Sequence, residues 1–144
     1  MRRNITRLIT LAAVMLFASC SDSTGPNDDI TGSYELITLN GSGLPVVVSF
    51  DQFSTLRITG GNVTLSSNNT FTSSASYQET LANGQTTTGT ETCDGTYTRN
   101  GNSVTFTEVT VPNTNCGGVY NGTWDGDDTI TVAFDATVQA VFRK

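Results

Sequence analysis

The sequence predicts an all-β domain: an antiparallel up-and-down meander of eight to ten strands, closed or nearly closed as a barrel, with a two-sheet β-sandwich as the alternative. Three observations carry this expectation. Turn dipeptides recur along the chain, at Asn40-Gly41, Gly60-Gly61, Asn68-Asn69, Asn83-Gly84, Asn100-Gly101, Gly117-Gly118 and Asp125-Gly126. Asn-Gly and Asp-Gly accept the positive φ of tight hairpin turns, and turns this frequent connect sequential strands. Between them, apolar residues alternate with Thr, Ser and Asn at a period of two, and no stretch beyond residue 20 holds a 3.6-residue pattern.

In chain order, residues 1–19 read as an export signal. Arg2, Arg3 and Arg7 precede the apolar run Leu8 to Phe17, which is too short to span a bilayer, since that needs roughly 20 apolar residues. The following Ala18-Ser19-Cys20 completes a segment that resembles the bacterial lipobox. That resemblance implies a diacylglyceryl thioether on Cys20, which becomes the first residue of the exported chain. The alternatives are a secreted protein cut near Ser19, or an N-terminal core helix. Ser21, rather than aspartate, directly follows Cys20, a pattern similar to that of lipoproteins sent to an outer membrane. Residues 20–29 then form the lipidated cysteine and a small, polar, acidic tether that reaches roughly 30 Å when extended.

Residues 30–144 supply the domain. The expected strands are 31–39, 45–50, 54–59, 62–67, 70–81, 86–99, 102–111, 118–125, 128–134 and 137–143. Alternation places Val46, Val48 and Phe50 on one inward face, and likewise Val63 and Leu65; Val104 and Phe106; Ile130, Val132 and Phe134; Val138, Ala140 and Phe142. Two successive hairpins of the same grammar, Gly95-Thr96-Tyr97 through Asn100-Gly101 and Gly122-Thr123-Trp124 through Asp125-Gly126, indicate a meander.

Without residues 1–19 the chain retains Arg57, Arg99, Arg143 and Lys144 against thirteen Asp and Glu, a net charge of −9. Such a surface repels phosphate backbones and argues against nucleic-acid binding. It also argues against a polybasic grip on anionic lipid, leaving acyl chains on Cys20 as the membrane anchor. With Cys20 assigned to lipid, Cys93 and Cys116 remain in a compartment that permits disulfides, and they are expected to pair.

The segments Thr31-Gly32-Ser33-Tyr34-Glu35-Leu36, Leu39-Asn40-Gly41, Leu44-Pro45, Val63-Thr64-Leu65 with Asn69-Thr70-Phe71, Gly95-Thr96-Tyr97 and Val141-Phe142-Arg143-Lys144 resemble a family of bacterial lipocalin-like lipoproteins. The resemblance spans nearly all of residues 30–144. It implies a small antiparallel barrel opened by a glycine-aromatic strand and closed by a final aromatic-bearing strand.

The absence of histidine removes the usual nucleophilic triads and imidazole metal sites, so no catalytic residue, metal site or cofactor is assigned and no enzyme activity is expected. Glu35, Glu79, Glu91 and Glu108 lie on expected strands, where glutamates read as outward, solvated residues; two converging in a cleft would be the alternative. Asp125, Asp127 and Asp128 lack the spacing of a calcium loop and read as a polar hairpin turn. Eleven aromatics in the domain either fill an eight-stranded barrel or line a small-ligand cavity in it. The leading expectation is a membrane-anchored envelope lipoprotein whose barrel binds a small apolar or amphipathic molecule, with Tyr34, Tyr97, Phe106 and Trp124 as candidate lining. The alternative is a solid-cored structural or interaction module that contacts another envelope protein through its outer face or through the loop Val109 to Gly118.

Overall fold

The computed structural model describes residues 29–144; the expected signal of residues 1–19, the expected lipidation site Cys20 and the expected tether up to residue 28 lie outside the described residues. Ten strands follow one another without a helix among the described residues: β1 (Gly32–Leu39), β2 (Ser42–Gly43), β3 (Val46–Phe50), β4 (Ser54–Leu65), β5 (Thr70–Leu81), β6 (Thr86–Asn100), β7 (Ser103–Glu108), β8 (Val119–Trp124), β9 (Thr129–Ala133) and β10 (Gln139–Arg143). They form one antiparallel sheet in the order β2-β1-β10-β9-β8-β7-β6-β5-β4-β3. Pairing of β1 with β4, from Gly32↔Leu65 to Glu35↔Asn62, closes eight of these strands into a barrel. The sandwich alternative is thereby set aside.

The hairpins form where Asn, Asp and Gly relieve backbone strain. Asn40 and Gly41 take positive φ values of 52° and 76°, which suit the tight turn joining β1 to β2. Asp51, Asp125 and Asp135 act from their side chains instead: Asp125 Oδ1 accepts the backbone N–H groups of Asp127 (2.9 Å) and Thr129 (3.0 Å), and Asp135 Oδ1 those of Thr137 (2.6 Å) and Val138 (2.8 Å). These bonds favour the ionised carboxylates and hold Asp51 and Asp135 below their ordinary pKa. The acidic residues at 125–128 thus form a turn built on Asp125.

Three sequence expectations are corrected. Gly60-Gly61 does not end a strand, because β4 runs unbroken from Ser54 to Leu65. A bulge between Ile58 and Gly60 bends the strand, and Gly61 lies so close to Leu36 and the Ser74 carbonyl that a Cβ there would meet that oxygen at 2.8 Å. The two-residue β2 was not expected; it arises because the last residues of β1, Thr38 and Leu39, pair with Gly43 and Ser42. The inward face assigned to Val46, Val48 and Phe50 holds for Val46 and for Val48, which lines the interior cavity, but not for Phe50. A bulge between Val47 and Ser49 shifts the phase of β3, and Phe50 is 79 % exposed. Phe134 faces inward as expected, edge to face with Tyr120 at the rim of the interior cavity, with ring centroids 4.9 Å apart.

The barrel has two unlike ends. At one, where β1 begins and β10 finishes, large side chains fill the interior: Tyr34, Leu65, Val104, Trp124 and Ile130 are the largest fully buried residues. Their polar atoms are satisfied locally. Tyr34 Oη donates to the Ile30 carbonyl at 2.7 Å, Tyr97 Oη to that of Ser66 at 2.9 Å, and Trp124 Nε1 to that of Asp127 at 3.3 Å. At the other end the strands part. β1 turns to β2 and β4 to β3, while β6 runs beyond the β7 pairing that starts at Gly95↔Glu108. The first halves of β4 and β6, the second half of β5, and β3 therefore extend past the barrel as a four-stranded flap.

The plugged end sets an alkaline limit on stability. Burial, followed by the negative charges of Asp125 and Asp29, pushes the Tyr34 phenol up to about 12. The folded state therefore holds a proton that the unfolded chain releases near pH 10. This contribution is fully present below pH 10 and is lost as pH rises towards 12. Urea midpoints measured at pH 8, 10 and 11 are expected to fall in that order, and the fall should be shallower in Tyr34→Phe; an identical slope in that variant would assign the effect to other groups.

Candidate ligand cavity

Above the plug the inward positions become small. Ser73, Ala75, Cys93 and Ala140 all line a cavity of about 360 Å³, within the size range of small-molecule sites. Its floor is aromatic. Phe71 and Phe106 meet edge to face with ring centroids 5.3 Å apart, an arrangement worth about 0.5–1.5 kcal/mol beyond area burial. Gly95, opposite Phe71 in the β5–β6 register, leaves room for that ring, since a Cβ there would lie 2.6 Å from a ring carbon. Phe142 completes the floor, with Leu36, Val63 and Val132 as walls. The cavity opens onto the flap, where a trough lined by Leu56, Ile58, Tyr77 and Glu91 continues it along the inner faces of β4, β5 and β6.

The polar side of the mouth is built by the loop between β7 and β8. The Cys93–Cys116 disulfide, with Cα atoms 5.5 Å apart, ties this loop to β6. Two glutamates hold it on either side of the bridge. Glu91 accepts the Asn115 backbone N–H at 2.8 Å and the Asn115 side-chain amide at 3.0 Å. Glu108 Oε2 accepts the N–H groups of Gly117 (3.0 Å) and Gly118 (3.2 Å) and the Tyr120 hydroxyl (3.3 Å). The Asn115 amide and N–H hold the Glu91 carboxyl below its usual range. Partial burial, with the Glu108 charge second, raises the Tyr120 phenol. Among the lining residues the charged ones are Glu91 and Glu108, both acidic.

The structure divides the sequence-derived candidates. Cys93 and Cys116 are paired. Phe106 lines the cavity, whereas Tyr34, Tyr97 and Trp124 are buried away from its lining, in the plug or beside it. Cys20 lies outside the described residues. Two residues read as solvated strand glutamates, Glu91 and Glu108, instead point inward at the mouth. The signal was strand parity: Glu91 shares a face with Cys93, Gly95 and Tyr97, and Glu108 with Val104 and Phe106. Strand parity also marks Ala75, Ala140 and Ser73 as inward. It does not reveal that the cavity opens where these small residues gather, because that depends on the order of strands around the barrel. The sequence matches no protein-family model and no curated protein.

Proposed function

We propose that this protein is a lipid-anchored envelope protein of lipocalin-like type whose barrel binds a small apolar or amphipathic molecule. The observation that carries the reading is the apolar cavity of about 360 Å³ above a fully packed plug. Transferring about 200–300 Å² of ligand apolar surface into it supplies roughly 5–8 kcal/mol before association costs. The export signal and Cys20 pattern support the envelope location, as does a disulfide, a bond that persists in oxidising compartments. Lys144 Nζ lies 3.4 Å from the Asp29 carbonyl, so the chain enters the barrel at the plugged end. The described chain thus begins at the end opposite the mouth.

Native mass spectrometry before and after incubation with an envelope lipid and metabolite extract tests the reading. A discrete added mass that is lost on denaturation is expected. Ala75→Trp places a ring in the mouth where the cavity meets the trough, and should weaken retention at least tenfold, about 1.4 kcal/mol, with the barrel still folded. A bare mass in both states would sink the reading. It would favour the interaction-module alternative, which draws on one observation: Phe50 and Phe53 are 79 % and 67 % exposed at the flap tip.

A further inference from the structure

The cavity carries a charge preference that its apolar walls do not dictate. Its charged lining residues are two carboxylates, Glu91 and Glu108, and the described cations sit elsewhere. Arg99 lies 4.4 Å above the Trp124 ring and Lys144 Nζ 5.0 Å from the Tyr34 ring, both at the plugged end. Arg143 faces Asp128 at 3.8 Å. Arg57 pairs with Val47 and Gln78, one position out of phase with the inward Ile58 and Leu56. The carboxylates are not used up by the loop they hold. All three donors to Glu108 land on Oε2, which leaves Oε1 without a hydrogen bond among the described residues. Glu91 accepts one bond on each oxygen, about half of what a carboxylate can accept.

Resting on the reading of the cavity as a ligand site, we propose that it selects a single-chain amphiphile bearing a protonated amine. The chain lies against Phe71, Phe106 and Phe142, and the ammonium donates to Glu108 Oε1, which no loop donor occupies, with Glu91 adding negative charge four residues along β6 from Gly95, the register partner of Glu108. Charge-assisted hydrogen bonds of this kind are stronger than neutral ones and are favoured beside an apolar wall, where water screens less. A carboxylate or phosphate head placed at the same point meets two like charges, so fatty-acid-type ligands are disfavoured by the side chains that anchor the loop.

The test is calorimetric titration of the protein purified from expression of the full chain with decylamine, decanol and decanoate, which share one apolar chain and differ in head charge at pH 7. Decylamine is expected to bind about tenfold more tightly than decanol, and decanoate about tenfold more weakly. In Glu108→Gln and Glu91→Gln, the ratio of amine to alcohol affinity should collapse towards one. Added sodium chloride should reduce the same ratio in the unaltered protein, which reads the charge term without any substitution. Equal affinities for the three probes, or a preference for decanoate, would overturn the charge selection while leaving the binding barrel intact. Failure of all three to bind would remove the cavity reading itself, and the selection with it.

Discussion

Replacing Trp124 with alanine is expected to destabilise the barrel by about 3–5 kcal/mol, the range for removing a large aromatic from a packed core. The ring is 1 % exposed and pairs in register with Ile130 on β9, so its removal leaves a void in the plug that neighbours on eight closed strands are poorly placed to fill. Two further contacts go with it: the bond from Nε1 to the Asp127 carbonyl, and the platform on which the Arg99 guanidinium rests. Because Trp124 is not among the cavity-lining residues, the folded fraction should retain its ligand affinity. Trp124 is the chain's single tryptophan, so the urea midpoint should be followed by far-ultraviolet circular dichroism rather than fluorescence. A loss below about 1 kcal/mol would mean that the plug is loosely packed. An equal loss of stability and of intrinsic affinity would tie the two ends of the barrel together.

The paired substitution Cys93→Ser with Cys116→Ser is expected to cost about 3.5 kcal/mol. The bridge spans a sequence separation of 23 residues, and in the chain-entropy account a loop of that size restricts the unfolded ensemble by roughly this amount. The native loop should survive in part, since Glu91 still holds Asn115 and Glu108 still holds Gly117 and Gly118. The expected signature is therefore a lower thermal midpoint, together with faster amide exchange concentrated at residues 109–118 rather than spread over the barrel. Unchanged exchange there, with an unchanged midpoint, would show that the two glutamates alone fix the loop.

Most of the fold was legible because β structure writes itself in short-range grammar. The turn pairs Asn40-Gly41, Asn83-Gly84 and Asp125-Gly126 mark hairpins, and alternation such as Val104 with Phe106, or Ile130 with Val132, marks the buried face. The grammar failed where a residue pair has two uses. Gly60-Gly61 can turn a chain or let a bulged strand bend, and only the approach of Leu36 and Ser74 selects the second. It failed again at β3, where alternation implies a covering layer. Past the β1–β4 closure the sheet has none over Phe50.

The sequence by itself determined the all-β meander, the turn positions other than Gly60-Gly61, the pairing of Cys93 with Cys116 and the apolar identity of the interior, because each depends on neighbours in the chain or on composition. Tertiary structure alone decided that the barrel closes through β1 and β4, that its aromatics pack one end and leave the other hollow, and that Glu91 and Glu108 face that hollow. Those features depend on which strands are brought around to meet, over sequence separations that no local pattern encodes. A period of two identifies the side of a wall on which a residue lies, but only closure of the wall decides what stands opposite.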